Sequence, residues 1–151
     1  MTRTQLDDVS KAIIEQLQQD GRRPYQAIGK AVGLSEAAVR QRVAKLIENG
    51  AMQIVAVTDP MQVGFTREAM VGIKVEGNID DVADALEALP EISYVVICAG
   101  GFDILVEVVA DDDEHLLEII NNRIRSIPHV RSTESFMYLK LRKQTYTWGT
   151  R

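Results

Sequence analysis

The sequence predicts an α+β protein of two domains: an N-terminal helix-turn-helix (winged-helix-like) domain and a C-terminal ferredoxin-like βαββαβ domain. Apolar residues recur at helical spacing through residues 8–47, and a Gly-Leu-Ser turn at 33–35 separates two of the helical segments. From residue 69, strand and helix patterns alternate in the order β-α-β-β-α-β. The predicted boundaries are 1–55 for the helical domain, 56–68 for a linker, 69–143 for the second domain and 144–151 for a tail.

The composition is that of a globular protein. The 151 residues are 46% hydrophobic and 26% charged, which suits one or two domains. No stretch approaches the roughly 20 apolar residues that span a bilayer, and residues 1–11 contain no apolar signal-peptide core. These features predict a cytoplasmic protein with no membrane partner.

The net charge of -5 hides a difference between two parts of the chain. Residues 1–55 carry eight Lys and Arg against six Asp and Glu, whereas the remainder carries nine against sixteen. A basic surface attracts phosphate, and an acidic one resists non-specific binding to nucleic acid. The difference indicates two modules with different partners.

Two helices are predicted before the turn. The first begins after a cap at Asp7 or Asp8, and Gly21 is expected to end it in a left-handed conformation. The second is expected to begin near Pro24, whose fixed φ suits the first position of a helix, and to run to Val32 before Gly33. The apolar face of the first helix consists of Val9, Ile13 and Leu17.

The third helix is predicted from Ser35, a cap residue, to the stop signal at Asn49 and Gly50. Small Gly29 stands where the second helix must approach its neighbour closely. Two helices joined by three residues are typical of a helix-turn-helix. The apolar face of the third helix consists of Val39, Val43, Leu46 and Ile47.

The opposite face of the third helix carries the candidate DNA contacts. Steps of about 100° per residue place Ala37, Arg40, Gln41 and Lys45 there. A small residue lets the helix approach the groove floor, and the forked donors of Arg and Gln read base edges, whereas Lys45 is expected to contact phosphate. The pattern favours binding to double-stranded DNA over the alternative, a three-helix scaffold whose solvated face carries these side chains.

The second module begins after a linker. Residues 52–58, MQIVAVT, predict a linker strand that ends at Asp59 and Pro60. Apolar periodicity predicts helices at 79–89 and 116–127, which end at Pro90 and Pro128. Strands are expected at 69–76, 92–99, 102–110 and 130–142.

The two central strands are apolar on both faces. Two helices cover only one face of such a sheet, so the other face predicts a partner. A homodimer packed through its sheets is the simplest arrangement, and its two-fold symmetry suits a palindromic promoter site. The alternating residues are Val95, Ile97, Leu105 and Val109 on one set of positions and Tyr94, Val96, Ile104 and Val106 on the other.

A glycine pair interrupts these strands. Gly100 and Gly101 suit a hairpin turn, since glycine adopts positive φ without steric cost. Successive glycines leave backbone N–H groups open to a carboxylate, and Asp103 can accept an ammonium group. A free amino acid carries both charges. The alternative is an ordinary hairpin turn beside a solvated aspartate, and the residues alone leave both open.

Three segments resemble the Lrp/AsnC, or feast/famine, transcriptional regulators of bacteria and archaea. The resemblance implies dimers that assemble further, to octamers, and an amino-acid effector bound between dimers at the glycine turn. The segments are LDDVSKAIIEQLQQDGR at 6–22, GLSEAAVRQRVAKLIENG at 33–50 and AGGFDILVEV at 99–108.

The resemblance also assigns residues by position, with two departures. Gly29 stands where such motifs usually have alanine, and Phe102 stands where the family often has tyrosine. In the DNA-reading segment the matching residues are Ser35, Glu36, Ala37, Ala38, Arg40, Gln41 and Arg42, beside Lys45. At the effector site they are Gly100, Gly101, Phe102 and Asp103, with Thr133 and Ser135 in place of a Thr-x-Thr pattern in the last strand.

No pattern typical of an enzyme occurs in the sequence. It contains no nucleophile-base pair, phosphate-binding loop or dinucleotide fingerprint, so we predict no catalytic residue, metal site or cofactor. Cys98, His115 and His129 form no group at metal-ligand spacing. Two alternatives to a DNA-binding regulator are an amino-acid-sensing regulatory subunit and a co-regulator that uses its helical domain for protein contacts.

Overall fold

The structure, a computed structural model, describes residues 6–151, which divide into two compact units. The helical unit contains the chain up to Val57 together with Lys143–Arg151, and the sheet unit is Thr58–Arg142. The first part of the predicted helical domain, residues 1–5 with Arg3, lies outside the described residues. Within 6–151, no helix has the length and apolar character needed to cross a membrane.

The helical unit contains α1 (Asp8–Gln19), α2 (Tyr25–Val32) and α3 (Glu36–Glu48). The side chain of Asp7 accepts a hydrogen bond from the Ser10 amide and caps α1, as predicted. The three helices bury one shared core, which confirms most of the predicted apolar positions, whereas Ile47, predicted on the same face of the third helix, is 43% exposed. The core residues are Ile13, Leu17, Ile28, Val39 and Val43.

The turn between α2 and α3 depends on two glycines. Gly33 adopts the left-handed conformation, with φ of 74°, and ends α2. A Cβ atom on Gly29 would lie 2.5 Å from the carbonyl oxygen of Leu34, closer than non-bonded atoms approach. The predicted close approach at Gly29 is therefore confirmed, and it brings the first residues of α3 against α2.

Two local predictions in this region are wrong, and a third, the start of α2 near Pro24, is confirmed to within one residue. Gly21 does not end α1 in a left-handed conformation, because the helix ends at Asp20 in extended backbone. Pro24 is the N-cap of α2 and precedes its first helical residue. Residues 52–58 form no strand, and β-branched Val55 and Val57 are exposed, since an isolated extended segment has no neighbouring strand with which to form a ladder.

The sheet unit has the predicted βαββαβ order. Its four strands are antiparallel in the order β2-β3-β1-β4, which is the ferredoxin-like topology. The elements are β1 (Arg67–Val75), α4 (Ile79–Glu87), β2 (Ile92–Ile97), β3 (Ile104–Ala110), α5 (Asp113–Glu118) and β4 (Val130–Met137).

The two faces of the sheet differ in burial. One face packs against α4 and α5, and alternate residues of β3 are fully buried there. The other face, which we call the open sheet face, has apolar side chains at Met70, Tyr94, Val96, Leu105 and Phe136. Tyr94 and Phe136 are 51% and 45% exposed, so the prediction of an uncovered apolar face is confirmed within this chain.

Two elements of the sheet unit, β4 and the second helix, depart from their predicted bounds by more than two residues. The last ladder bond runs from the Tyr138 amide to the Glu68 carbonyl, at 3.0 Å, and β4 ends there because β1 begins at Arg67. Helix α5 is a short α-helix that continues as a π-helix over Ile119–Ile124. The Arg125 amide donates to the Ile120 carbonyl, five residues back, as in a π-helical turn.

The predicted tail is part of the helical unit. The Gly149 amide donates to the Gln18 side chain at 3.2 Å, and the Thr150 hydroxyl bonds the Glu15 carboxylate. The Trp148 side chain is 80% exposed and makes an edge contact with Tyr146, with ring centroids 6.5 Å apart. Residues 143–151 therefore lie against α1.

The Phe102 ring lies on the open sheet face, directly over Gly72. A Cβ atom on Gly72 would lie 2.6–2.8 Å from three atoms of that ring. The same ring packs edge-on against Phe136, with centroids 5.9 Å apart. Gly72 is therefore the position that allows Phe102 to cover the middle of β1.

Gly72→Ala is expected to destabilise the sheet unit by about 1–3 kcal/mol, because the methyl group overpacks the site against Phe102. Urea unfolding measures the change. Gly101→Ala is the matched control, since a Cβ atom there meets nothing within 4 Å. In a Phe102→Ala background the Gly72→Ala cost should largely disappear, and an unchanged cost there would contradict the steric explanation.

Candidate DNA-reading helix and effector turn

The N-terminus of α3 is fixed by its cap. The Ser35 hydroxyl oxygen accepts a hydrogen bond from the Ala38 amide at 3.2 Å, so the predicted cap is confirmed. Glu36 lies in the first turn, where a negative charge complements the helix dipole. Ala37 is exposed, and its small side chain leaves the backbone of this turn accessible.

The side chains predicted to point outward do so. Arg40, Gln41 and Lys45 are all exposed on α3. Arg40 Nη2 lies 2.8 Å from Glu36 Oε1, one helical turn away, and the Arg40 guanidinium carbon lies 5.3 Å from the centre of the Tyr25 ring. Arg40 is thus held between a carboxylate of its own helix and an aromatic ring at the start of α2.

Arg42 does not belong to this outward set. Its Nη1 donates to Asp7 Oδ2 at 2.7 Å and to the Ser10 hydroxyl at 3.1 Å, 35 and 32 residues away in the chain. This side chain joins α3 to the first turn of α1. The structure therefore gives Arg42 a role inside the helical unit and does not support its assignment as a DNA contact.

The Asp7 carboxylate is stabilised in its charged form. The Arg42 hydrogen bond, followed by the bonds from the side chain and amide of Ser10, holds the pKa of Asp7 well below its usual value of 3.8. The negative charge at the start of α1 also complements the helix dipole. Asp7 therefore acts both as a helix cap and as the partner of Arg42.

The effector turn differs from the predicted tight hairpin. Six residues, 98–103, separate β2 from β3. Gly100 and Gly101 are exposed, neither has positive φ, and a Cβ atom on either would meet nothing within 4 Å. The prediction of a positive-φ glycine turn is wrong, because a loop of this length reverses the chain without left-handed residues.

Asp103 anchors this loop to β1. Its amide donates to the Ile73 carbonyl at 3.0 Å, and its carbonyl accepts from the Cys98 amide at 2.9 Å. Its side-chain Oδ2 accepts from the Val75 amide at 2.8 Å, at a point where the pairing of β1 with β4 shifts register. One carboxylate oxygen of Asp103 is therefore used within the fold, and Oδ1 is left for another donor.

The predicted effector residues fall on both faces of the sheet. Thr133 pairs with Ile73 and Ser135 with Val71, so they lie on the face that the helices cover, in edge strand β4. Phe102 lies on the open sheet face. Thr133 and the loop share one end of the sheet, two strand spacings or about 10 Å apart, but the structure does not bring all six residues around one cavity.

Acidic groups lie on the open sheet face at its other end. The Tyr138 hydroxyl donates to Glu107 Oε1 at 2.9 Å, and burial, followed by the Glu107 interactions, raises the pKa of Tyr138 above its usual value of 10.0. Burial, together with Glu107 and Asp59, also raises the pKa of Glu68. Covering this face would further disfavour the charged form of these carboxyl groups.

Comparison with known proteins identifies both units. Residues 6–47 match an AsnC-type helix-turn-helix domain, and residues 65–151 match an AsnC-type C-terminal dimeric alpha+beta barrel domain. A transcriptional regulator named FL11 from Pyrococcus horikoshii is 35% identical over 145 residues, covering 95% of each chain. The chain belongs to the Lrp/AsnC family of transcriptional regulators.

Two solved Lrp/AsnC structures show the same fold. The leucine response regulatory protein LrpA of Mycobacterium tuberculosis has a TM-score of 0.81 and 29% identity, over 93% of this chain and 100% of that one. A Neisseria meningitidis regulator solved in complex with L-Met has a TM-score of 0.79 and 23% identity, over 95% and 96%. The predicted helix-turn-helix and ferredoxin-like architecture is therefore confirmed.

Within this Lrp/AsnC chain, sequence reasoning missed three residues that position the candidate sites. Tyr25 lies against Arg40, Gly72 accommodates Phe102, and Val75 donates to Asp103. A tyrosine just after Pro24, at the start of a helix, was a visible signal for the first. The other two depend on pairing between strands about 30 residues apart, which local sequence patterns do not reveal.

The Asp7 and Arg42 contact predicts a pH-dependent stability of the helical unit. Because the pKa of Asp7 is lowered on folding, its contribution is present above its ordinary pKa of 3.8 and is lost as the pH falls through that range and below. Asp7→Asn keeps a good cap but removes the charge, so it should destabilise the protein at neutral pH and progressively less in acid.

Urea unfolding followed by circular dichroism at several pH values measures this effect. Asp8→Asn is the matched control, since Asp8 lies next in the chain, is fully exposed and has Lys11 only at 3.7 Å. A destabilisation by Asp7→Asn that stays constant from neutral pH to about pH 2 would show that the ion pair contributes nothing.

Proposed function

We propose that this regulator binds specific promoter sites in double-stranded DNA, in the cytoplasm, and that a small amino acid controls its assembly or its DNA affinity. The observation that carries the proposal is α3: Arg40, Gln41 and Lys45 project together from the second helix of an AsnC-type helix-turn-helix. Such a helix places its N-terminal residues against base edges in the major groove. Ala37 and Ala38 keep this end narrow, and Lys45 is positioned to contact phosphate.

The open sheet face supports a homodimer. Apolar side chains of all four strands lie there, and the matched domain is described as a dimeric alpha+beta barrel. Two open sheet faces packed against each other would bury Phe136 and Tyr94 of both copies. The dimer would present two copies of α3 to a palindromic site, and further association of dimers would give the octamer.

The loop at 98–103 is the proposed effector site. Gly100 and Gly101 leave their backbone N–H groups accessible, and Asp103 Oδ1 is available for an ammonium group. Thr133 offers a hydroxyl group at the same end of the sheet, and Ser135 offers another two residues further along β4. One relative of this fold was solved with L-Met, which is an amino acid with both of these charged groups.

A gel-shift titration tests the regulator assignment. The protein should bind the DNA upstream of its own gene in preference to a coding fragment of equal length. Arg40→Ala should lower the affinity for the preferred fragment by about 1–3 kcal/mol and relax the preference, because a base contact is lost. Arg125→Ala, in the sheet unit, is the matched control and should change neither quantity.

Two results contradict this assignment. Equal binding of wild-type protein to both fragments would argue against specific recognition. Absence of binding at moderate salt would favour a co-regulator that uses its helical unit for protein contacts.

Asp103→Asn tests the effector site. The amide oxygen still accepts from Val75, so the loop should remain in place, but the loss of charge should weaken binding of an amino acid's ammonium group. Isothermal calorimetry should show at least a tenfold loss of effector affinity, because a charge-assisted bond contributes about 1.5–3 kcal/mol.

Asp84→Asn, on the exposed side of α4, is the matched control for this experiment. Sedimentation velocity should show the same dimer for wild type and both variants. Undiminished effector affinity of Asp103→Asn would refute the proposed role of Asp103.

A further inference from the structure

We propose that Arg40 reads a guanine of the DNA site and that Tyr25 is the positioning residue that holds Arg40 in the orientation for this contact. The proposal rests on the DNA-binding function given above and adds to it a base and a residue outside the reading helix. It is carried by the contacts that Arg40 makes with Glu36 and Tyr25.

Tyr25 provides a fixed surface for the Arg40 side chain. It is the first residue of α2 and is partly buried against the core formed by Ile13, Ile28 and Val39. The Arg40 guanidinium carbon lies 5.3 Å from the centre of its ring, within the range of a cation-π contact. Because the ring is anchored in the core, it restricts a side chain that is otherwise long and mobile.

Glu36 provides the second restraint on the Arg40 guanidinium group. Its Oε1 accepts from Arg40 Nη2 at 2.8 Å, across one turn of α3. A guanidinium has five N–H donors in one plane, so this bond leaves other donors of Arg40 for DNA. The ring and the carboxylate together restrain both the position and the rotation of the guanidinium plane.

The neighbouring carboxylate favours a base over a phosphate as the target. A phosphate bound to Arg40 would place its negative charge beside Glu36, and like charges at this distance repel. In the major groove, guanine offers two acceptors, O6 and N7, which match Arg, and its partner cytosine offers an N4 amino group that a carboxylate accepts. The Arg40 and Glu36 pair is therefore complementary to the edge of a G·C base pair.

Tyr25 also packs in the core, so the test must separate positioning from packing. Tyr25→Phe keeps the ring, whereas Tyr25→Leu keeps an apolar side chain and removes the ring. Both are compared with wild type in gel-shift titrations on the upstream fragment and on the coding competitor. Thermal unfolding of each variant confirms that it is folded at the titration temperature.

Tyr25→Leu should lower the preference for the upstream fragment about two- to fivefold, as expected for loss of an exposed cation-π contact. Tyr25→Phe should keep the wild-type preference. In an Arg40→Ala background Tyr25→Leu should lower the preference no further, since it acts through Arg40. The salt dependence should be the same for all variants, because phosphate contacts are unchanged.

A base substitution identifies the target. Replacing single guanines of the bound site by 7-deazaguanine removes the N7 acceptor, and at one position in each half-site this should weaken binding by wild type but not by Arg40→Ala. If the wild type binds selectively but no guanine position shows this effect, the guanine contact is overturned.

The role of Tyr25 would be overturned if Tyr25→Leu kept the wild-type preference, or if it lowered the preference as much in the Arg40→Ala background as in the wild type. Neither result would affect the guanine contact of Arg40. A wild type that fails to prefer the upstream fragment would overturn the regulator assignment itself, and the role of Tyr25 with it.

Discussion

The absence of a side chain at Gly29 is the constraint on which the position of α3 depends. The carbonyl oxygen of Leu34 occupies the space that a Cβ atom would need. This contact sets how closely the turn approaches α2, and therefore where the Ser35 cap begins α3. An alanine at this position would require the turn to shift, although glycine within a helix costs roughly 1 kcal/mol relative to alanine.

A close approach to a glycine also shapes the sheet unit, but no local sequence signal marks that glycine. Gly100 and Gly101 form an obvious pair, yet neither is sterically required in this conformation. Gly72 lies inside a strand without any turn signal, and it is required because Phe102 covers it. The Phe102 ring packs against Phe136 and so covers the open sheet face next to the end of the 98–103 loop.

Local patterns predicted the elements that local physics determines. Helical periodicity, the cap residues Asp7 and Ser35 and the stop at Gly33 identified the helices and the turn, and the βαββαβ order followed from the alternation of patterns. Contacts between distant residues were not predictable in this way. Arg42 was assigned to DNA by its position in the family motif, but a partner 35 residues away holds its side chain.

Element lengths were also set by neighbours. The β-branched residues 52–58 have strand propensity, but no adjacent strand pairs with them in this chain. Strand β4 ends next to the start of β1, where strand pairing stops, although the sequence after Met137 is compatible with an extended strand. Propensity therefore predicted where strands could form, and pairing decided how long they are.

The docking of residues 143–151 against α1 has a spectroscopic consequence. Trp148 is the single tryptophan of the chain, and it belongs to the helical unit although it follows the sheet unit in sequence. Its fluorescence therefore reports on the segment that lies beside Glu15 and Gln18. An emission change would therefore record an event at the end of the chain that packs on α1, in the helical unit, even though the last strand of the sheet unit directly precedes that segment in sequence.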